Sequence, residues 1–244
     1  KLNRKAKIIA TTNRDEAIKE ADLVICALEK DRNVYWSQDF HIPKKYGFKQ
    51  VYGENGGIGS LFHALRNIKV IMDLARAMEK LCPNAMLLNF SNPEHKICEA
   101  LTRLTSIKTV GLFHGVFMGR EHLSDLLAVP LNDLQTKACG INHFTWFQEI
   151  TQKSTGEDLY PKLREIEQKG DWLAKWHEMA LGRILFRRFG QWPSPASNHY
   201  GEYIRWAEEF LVPQLQFFYY PYDFHLYTSP IPRYLATSLL PSFS

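Results

Sequence analysis

The sequence predicts an α/β fold, a doubly wound parallel sheet followed by an α+β lobe. Three observations carry that prediction. Short apolar runs alternate with helical patterns four times over residues 7–127, the order that a parallel sheet with crossover helices requires. One of them, Met86-Leu-Leu-Asn-Phe-Ser-Asn-Pro-Glu94, passes from apolar ribbon to polar turn to helix start, with Pro93 in the first helical turn. After residue 131 the alternation stops, and two strand patterns joined by Gly140-Ile-Asn-His143 precede further helices. A division at residues 131–135 follows, with a parallel-sheet domain over 1–132 and a substrate lobe over 133–244.

Taken in order, residues 7–11 read as a strand, and Asn13 caps a short helix with Asp15 and Glu16 in its first turn. Residues 22–27 form a second strand, apolar enough to be buried on both faces. Residues 29–51 mix charge, aromatics and one proline and read as an irregular crossing. Gly53-Glu-Asn-Gly-Gly-Ile-Gly-Ser-Leu-Phe-His then opens a long helix in which Leu61, Leu65, Ile68, Met72, Ala75, Met78 and Leu81 keep helical spacing. A glycine-rich loop feeding a helix is a candidate anion site, because free N–H groups and the helix dipole point at it. It is not the G-x-G-x-x-G fingerprint, it follows a loop rather than a clean strand, and taken alone glycines serving a tight turn and close packing explain it better. Residues 108–113 give the last strand of the first domain, with His114 and Gly115 at its carboxyl end and a helix over 117–127. In the second lobe, 134–139 and 144–150 are strands, and 161–168 and 172–189 are helices. The second of these ends in Arg187, Arg188 and Gly190. Residues 193–202 read as a turn, and a last helix runs over 200–211.

Composition narrows the function classes. The 244 residues are 45% apolar and 23% charged, an ordinary globular balance. The net charge of +4 is spread without a Lys/Arg block, which argues against nucleic acid as a partner. No apolar run reaches the length of a membrane span. Cys26, Cys82, Cys98 and Cys139 form no CxxC pair and lie in or beside apolar segments, which reads as buried free thiols in a reducing, cytoplasmic setting. Both ends read as cut, and the Pro- and Ser-rich stretch from Thr228 onward has no clear period.

Ligands of open α/β sheets bind past the carboxyl ends of strands. There the sequence gathers Glu54 and Asn55, Asn89 and Asn92, His114, Asn142 and His143, with Ser197, Asn198 and His199 as a fifth cluster. Histidines, amides and an acid brought together make a metal or acid–base site. Taken singly, Asn92 reads equally as a helix cap, Asn89 as a strand-end residue and each histidine as a structural one.

Six stretches in this order and spacing resemble glycoside hydrolase family four. They are Thr11-Thr-Asn-Arg-Asp-Glu-Ala, Ile42-Pro-Lys-Lys-Tyr-Gly, Gly53-Glu-Asn-Gly-Gly, Leu88-Asn-Phe-Ser-Asn-Pro, Gly111-Leu-Phe-His-Gly and Gly140-Ile-Asn-His-Phe-Thr-Trp. The resemblance runs from about residue 11 to 210 and implies a Rossmann-like first domain without its first βαβ unit. It implies an NAD- and Mn²⁺-dependent glycosidase that oxidises the sugar at C3, removes the acidified C2 proton and breaks the glycosidic bond by elimination. Carried over, Asn92 and Asn142 would contact the substrate. Ala27, Asn89 and Asn92 would line the dinucleotide. His143 and His114 would hold the metal. His114, Glu54, Ser197 and His199 would serve catalysis. Trp36-Ser-Gln-Asp with Gly201-Glu-Tyr suggests a non-phosphorylated α-glycoside, and the full-length form is expected to be a homo-oligomer. Three departures stand out. Phe113 replaces the family's metal cysteine, Ser197 stands at the acidic base position, and the glycine-rich dinucleotide turn is absent. They keep two other readings open: a sugar- or nucleotide-binding remnant without catalysis, and an NAD-dependent dehydrogenase on a related fold.

Overall fold

Three short strands, β1 (Leu23–Cys26), β2 (Met86–Asn89) and β3 (Lys108–Gly111), lie parallel in that order, with Leu23 opposite Met86 and Met86 opposite Lys108. They belong to a computed structural model that describes residues 7–49, 51–170 and 179–207. Around them run α1 (Arg14–Ile18), α2 (Arg32–Lys45), α3 (Gly57–Leu81) and α4 (Glu94–Leu104). The Asn13 side chain caps α1 as predicted, accepting from the N–H groups of Asp15 and Glu16 at 3.1 and 3.3 Å. One core forms where Ile71, Ala75 and Met78 of α3 and Ile97 and Leu101 of α4 meet Val24, Cys26 and Leu87.

That core covers one face of the sheet. On the other, Leu23, Ile25, Met86 and Val110 are exposed, so β1 is not buried on both faces as its composition suggested. Residues 7–11 form no strand. They have no neighbouring strand among the described residues to supply hydrogen bonds, and Ile8 is 91% exposed. The crossing expected to be irregular contains α2 instead. Its buried residues Trp36, Asp39, Phe40 and Pro43 keep i, i+3, i+4, i+7 spacing, but an acid and a proline hold two of the four places and hide the period. The long helix is present, yet Leu61 and Leu65 are exposed, and the buried residues of its first half are Gly59, Ser60, His63, Ala64 and Asn67.

The second lobe is an antiparallel sheet of β4 (Leu134–Ile141), β5 (Phe144–Gln152) and β6 (Trp192–Ser194). Ile141 faces Phe144 across the Asn142–His143 joint. Its core joins Phe147, Ile150 and Trp192 to Leu163 of α6 (Tyr160–Lys169) and Phe186 of α7 (Ala180–Phe189). Leu123 and Leu127 of α5 (Gly115–Leu127) pack in this second core although they precede residue 131. The start of the helix expected at 172 lies outside the described residues, as do residues 208–211 and the Pro- and Ser-rich stretch.

The stretch expected as a turn, 193–202, holds the end of β6 and the short helix α8 (Ser197–Tyr200). A single 3₁₀ turn, Gly201–Tyr203, then replaces the predicted helix. Tyr200 is fully buried, as is the Glu202 side chain, and an α-helix would place residues two apart on opposite sides. Of the cysteines, Cys26 and Cys82 are buried as expected, whereas Cys98 is half-buried and Cys139 exposed; all four are free thiols. No helix among the described residues is long and apolar enough to cross a membrane.

Candidate active site

The first four N–H groups of a helix have no partner within it. At the head of α3 the loop before it adds more. The N–H groups of Glu54 and Asn55 donate to Oε1 of Glu202 at 2.7 and 3.0 Å, that of Asn55 also reaches Oε2 at 3.1 Å, and Gly56 adds a further backbone hydrogen bond. The anion that this loop selects is therefore the chain's own carboxylate. Gly56 is required by the approach, because a Cβ there would stand 2.4 Å from the Glu202 carbonyl oxygen. Burial pushes the Glu202 carboxyl up to about 7, with the three backbone N–H groups opposing it.

The β4–β5 joint delivers His143 to the same place. Its backbone is left-handed, φ 65°, and its side chain is fully buried. Nδ1 lies 3.0 Å from Nδ2 of Asn55 and 3.4 Å from Oε2 of Glu202. Burial pushes the imidazole down to about 4, so the ring is neutral at neutral pH. His199 packs 4.4 Å from it, centroid to centroid, and Tyr52 stacks on His199 at 5.4 Å. Burial likewise holds His199 well below the ordinary histidine range. The Phe113 ring lies 4.5 Å from both His143 and His114.

A closed ring of polar contacts supports the loop from below. Arg32 pairs with Glu54 at 2.8 Å and with Glu29. Glu29 accepts from His63 Nε2 at 2.9 Å, and His63 Nδ1 lies 3.1 Å from the Glu54 carbonyl. Asn67 ties two strand-end loops together, accepting from the Lys30 N–H at 3.1 Å and donating to the Asn92 carbonyl at 2.7 Å. From α4, Lys96 donates to the Asn55 carbonyl at 2.9 Å and to Ser60.

The Family 4 glycosyl hydrolase model matches residues 1–129, and the model of the family's C-terminal domain matches residues 138–233. The chain belongs to glycosyl hydrolase family 4. It is 34% identical over 207 residues to an alpha-galactosidase of Bacillus subtilis, covering 83% of this chain and 46% of that protein. It is 31% identical over 239 residues to an alpha-glucosidase of Erwinia rhapontici, covering 83% and 53%. A 6-phospho-alpha-glucosidase 1 of Lacticaseibacillus paracasei is 32% identical over 170 residues, covering 68% and 38%. The chain spans about half the length of the curated relatives it matches. The fold matches a 6-phospho-alpha-glucosidase from gut microorganisms, solved with NAD and Mn²⁺, at a TM-score of 0.69 and 24% identity over 82% of this chain and 47% of that one.

Within this family 4 chain, the Glu54/Asn55, His114, His143 and His199 groups predicted from sequence come together. Others depart from expectation. Asn89 is fully buried and closes its amide on Ser91, accepting from its N–H and donating to its carbonyl at 3.1 Å each, so it acts as a strand-end residue. Asn92 caps nothing. Pro93 is the N-cap of α4, without a side-chain cap bond, and the recorded contact of Asn92 is its carbonyl. Ser197 is fully buried; its hydroxyl accepts from the Leu181 N–H at 3.1 Å, in the first turn of α7, and lies 3.4 Å from the Tyr200 hydroxyl. The expected metal pair, His143 and His114, has the Phe113 ring packed against both. No group of three His, Cys, Asp or Glu side chains among the described residues could hold a metal ion. A phenyl ring in the cysteine's place removes the thiolate that would complete such a group.

Sequence reasoning missed Arg32, His63 and Asn67 as parts of this assembly, and took Glu202 only as part of Gly201-Glu-Tyr, a mark of substrate class. Ser60, His63 and Asn67 were findable, since they form a polar stripe at helical spacing on an otherwise apolar helix. Glu202 reaches a loop 148 positions away, which no local pattern announces.

Proposed function

We propose that this chain binds a glycoside over the carboxyl edge of its parallel sheet and, within a family 4 glycosyl hydrolase, takes part in cleaving the glycosidic bond. One observation carries the proposal. Asn55 Oδ1, Asn142 Nδ2 and Oδ1, and His95 Nδ1 are buried atoms with no hydrogen-bond partner among the described residues. Unpaired buried polar atoms are costly, and a polyhydroxylated ligand is the kind of molecule that satisfies both donors and acceptors at once. Asn55 and Asn142 would hold sugar hydroxyls. His143 and His199, kept neutral by burial, present ring nitrogens that can hydrogen-bond sugar hydroxyls. Arg32 keeps the Glu54 carboxylate in place.

Ala27, exposed just past β1, leaves that strand end clear of side-chain bulk, which suits a flat ring of NAD. Bound there, NAD would supply a hydride acceptor for the sugar. The described donor set does not fit a divalent metal. A second reading, sugar binding without turnover, is favoured by one observation: the Phe113 ring packs against both expected ligand histidines.

The test is hydrolysis of aryl α- and β-glycosides with and without NAD⁺, Mn²⁺ and a reductant. The expected result is turnover of an aryl α-glycoside that rises with NAD⁺. Turnover indifferent to all additives would overturn the redox route. Saturable glycoside binding without turnover would establish the second reading.

A further inference from the structure

The head of α3 is shaped for an anion. It is the positive end of a 25-residue helix, and the loop before it aims three further N–H groups at one point. We propose that Glu202 is a positioning and specificity residue: its carboxylate fills the anion place at the head of α3 from within, fixes Asn55 and through it His143, and denies that place to a charged substituent on the sugar. The last part rests on the glycoside reading above; the first two do not.

The geometry supports each part. Both carboxylate oxygens are engaged by the loop, and the Glu202 side chain is fully buried. Asn55 donates its backbone N–H to Glu202 and places its side-chain amide on His143, and Glu202 Oε2 itself lies 3.4 Å from His143 Nδ1, so the carboxylate holds the imidazole both directly and through Asn55. Gly56 leaves no room between loop and Glu202 for a larger guest. The cations nearby are already committed, Arg32 to Glu29 and Glu54, Lys96 to the Asn55 carbonyl and Ser60. The Glu29 and Glu54 carboxylates, with the Glu202 carboxyl titrating near neutral pH beside them, thus stand against two cations, a balance that disfavours a phosphoryl group. Sequence identity does not decide the matter, since relatives named for neutral glycosides and for 6-phosphoglycosides match at 31–34% and 32%.

The experiment uses the full chain with Glu202→Ala, which vacates the N–H cradle, and Glu202→Gln, which keeps its size. The readouts are the ¹⁵N resonances of the His143 ring, the melting temperature, and binding of inorganic phosphate by ³¹P NMR. In Glu202→Ala the His143 resonances should move, and formate should return them and raise the melting temperature by several degrees at concentrations well above its Kd, whereas formamide does neither. Phosphate should bind Glu202→Ala at least about tenfold more tightly than the parent chain, a difference of roughly 1.4 kcal/mol. Formate no better than formamide would overturn the positioning role, and equal phosphate binding by parent and variant would overturn the specificity role. If Glu202→Ala does not fold, Glu202→Gln decides: shifted His143 resonances support the proposal, and unchanged ones overturn it. None of these readouts needs glycoside turnover. A chain that hydrolyses nothing yet is restored by formate keeps this inference and loses the enzymatic one.

Discussion

In its C-terminal half, α3 packs Ile71, Leu74, Ala75 and Met78 into the core beneath β1 and β2; in its N-terminal half, the inward face carries Ser60, His63 and Asn67. Both halves are buried, and they are held by different physics. The first half is stabilised by apolar surface removed from water, which is non-directional and tolerant of small shifts. In the second, every buried polar group has a designated partner. Ser60 donates to the Asn55 carbonyl at 2.9 Å, His63 bridges Glu29 and Glu54, and Asn67 joins the loops after β1 and β2. Directional bonds of this kind fix loops relative to one another, which is what a site needs and a core does not. One helix therefore serves as a structural beam at one end and as the frame of the site at the other.

The largest expected effect lies in the apolar half. Ile71→Ala should lower stability by about 2–5 kcal/mol in a denaturant titration, because the side chain is fully buried and leaves a cavity. A loss below 1 kcal/mol would mean that the core there is loosely packed. Asn67→Leu should cost less, roughly 1–3 kcal/mol, because it leaves the Lys30 N–H and the Asn92 carbonyl without their partner. Its sharper signature is local: amide exchange at Lys30 should accelerate while exchange in the 71–78 segment does not. Equal acceleration in both segments would erase the distinction between the two halves.

The smallest effect is electrostatic. Burial raises the Glu29 carboxyl, but the His63 hydrogen bond and the Arg32 charge outweigh it and hold the group below the usual glutamate range. A carboxyl depressed in the folded state contributes stability that is present above its unfolded pKa and lost as pH falls through the folded one. Glu29→Gln should therefore lower stability modestly at neutral pH and flatten the acid limb, the two profiles converging as pH falls, as read from melting temperature against pH. An unaltered acid limb would show that the Arg32–Glu29–His63 chain has no part in the polar half.

What the sequence disclosed follows the same division. β1, β2, β3 and the β4–β5 hairpin were legible because runs of apolar residues and a Gly-containing joint are local signals. The cap of α1 was legible because Asn13 acts on residues two and three positions away. On α3 the predicted set was right from Ile68 onward, where Ala75 and Met78 enter the core with Ile68, Met72 and Leu81 packed against it, and wrong at Leu61 and Leu65, where serine, histidine and asparagine are the residues turned inward. Of the site, the glycine loop was weighed as an anion site and set below a plain tight turn, because its occupant comes from residue 202, beyond the reach of any spacing rule. Ser197 was misplaced for a related reason. Its neighbour in space is the Leu181 N–H, and only the packing of α7 against α8 reveals that the hydroxyl is already engaged.

The hairpin joint carries a tension of its own. His143 occupies a left-handed backbone, a conformation that glycine adopts freely and that an imidazole-bearing residue adopts at a strain on the order of 1 kcal/mol. Laboratory selection for heat tolerance or soluble yield alone would reward glycine at that turn and discard the ring along with its strain. Improved variants from such a campaign would fold better and have an emptied centre, so any screen on this chain must score ligand capture alongside robustness.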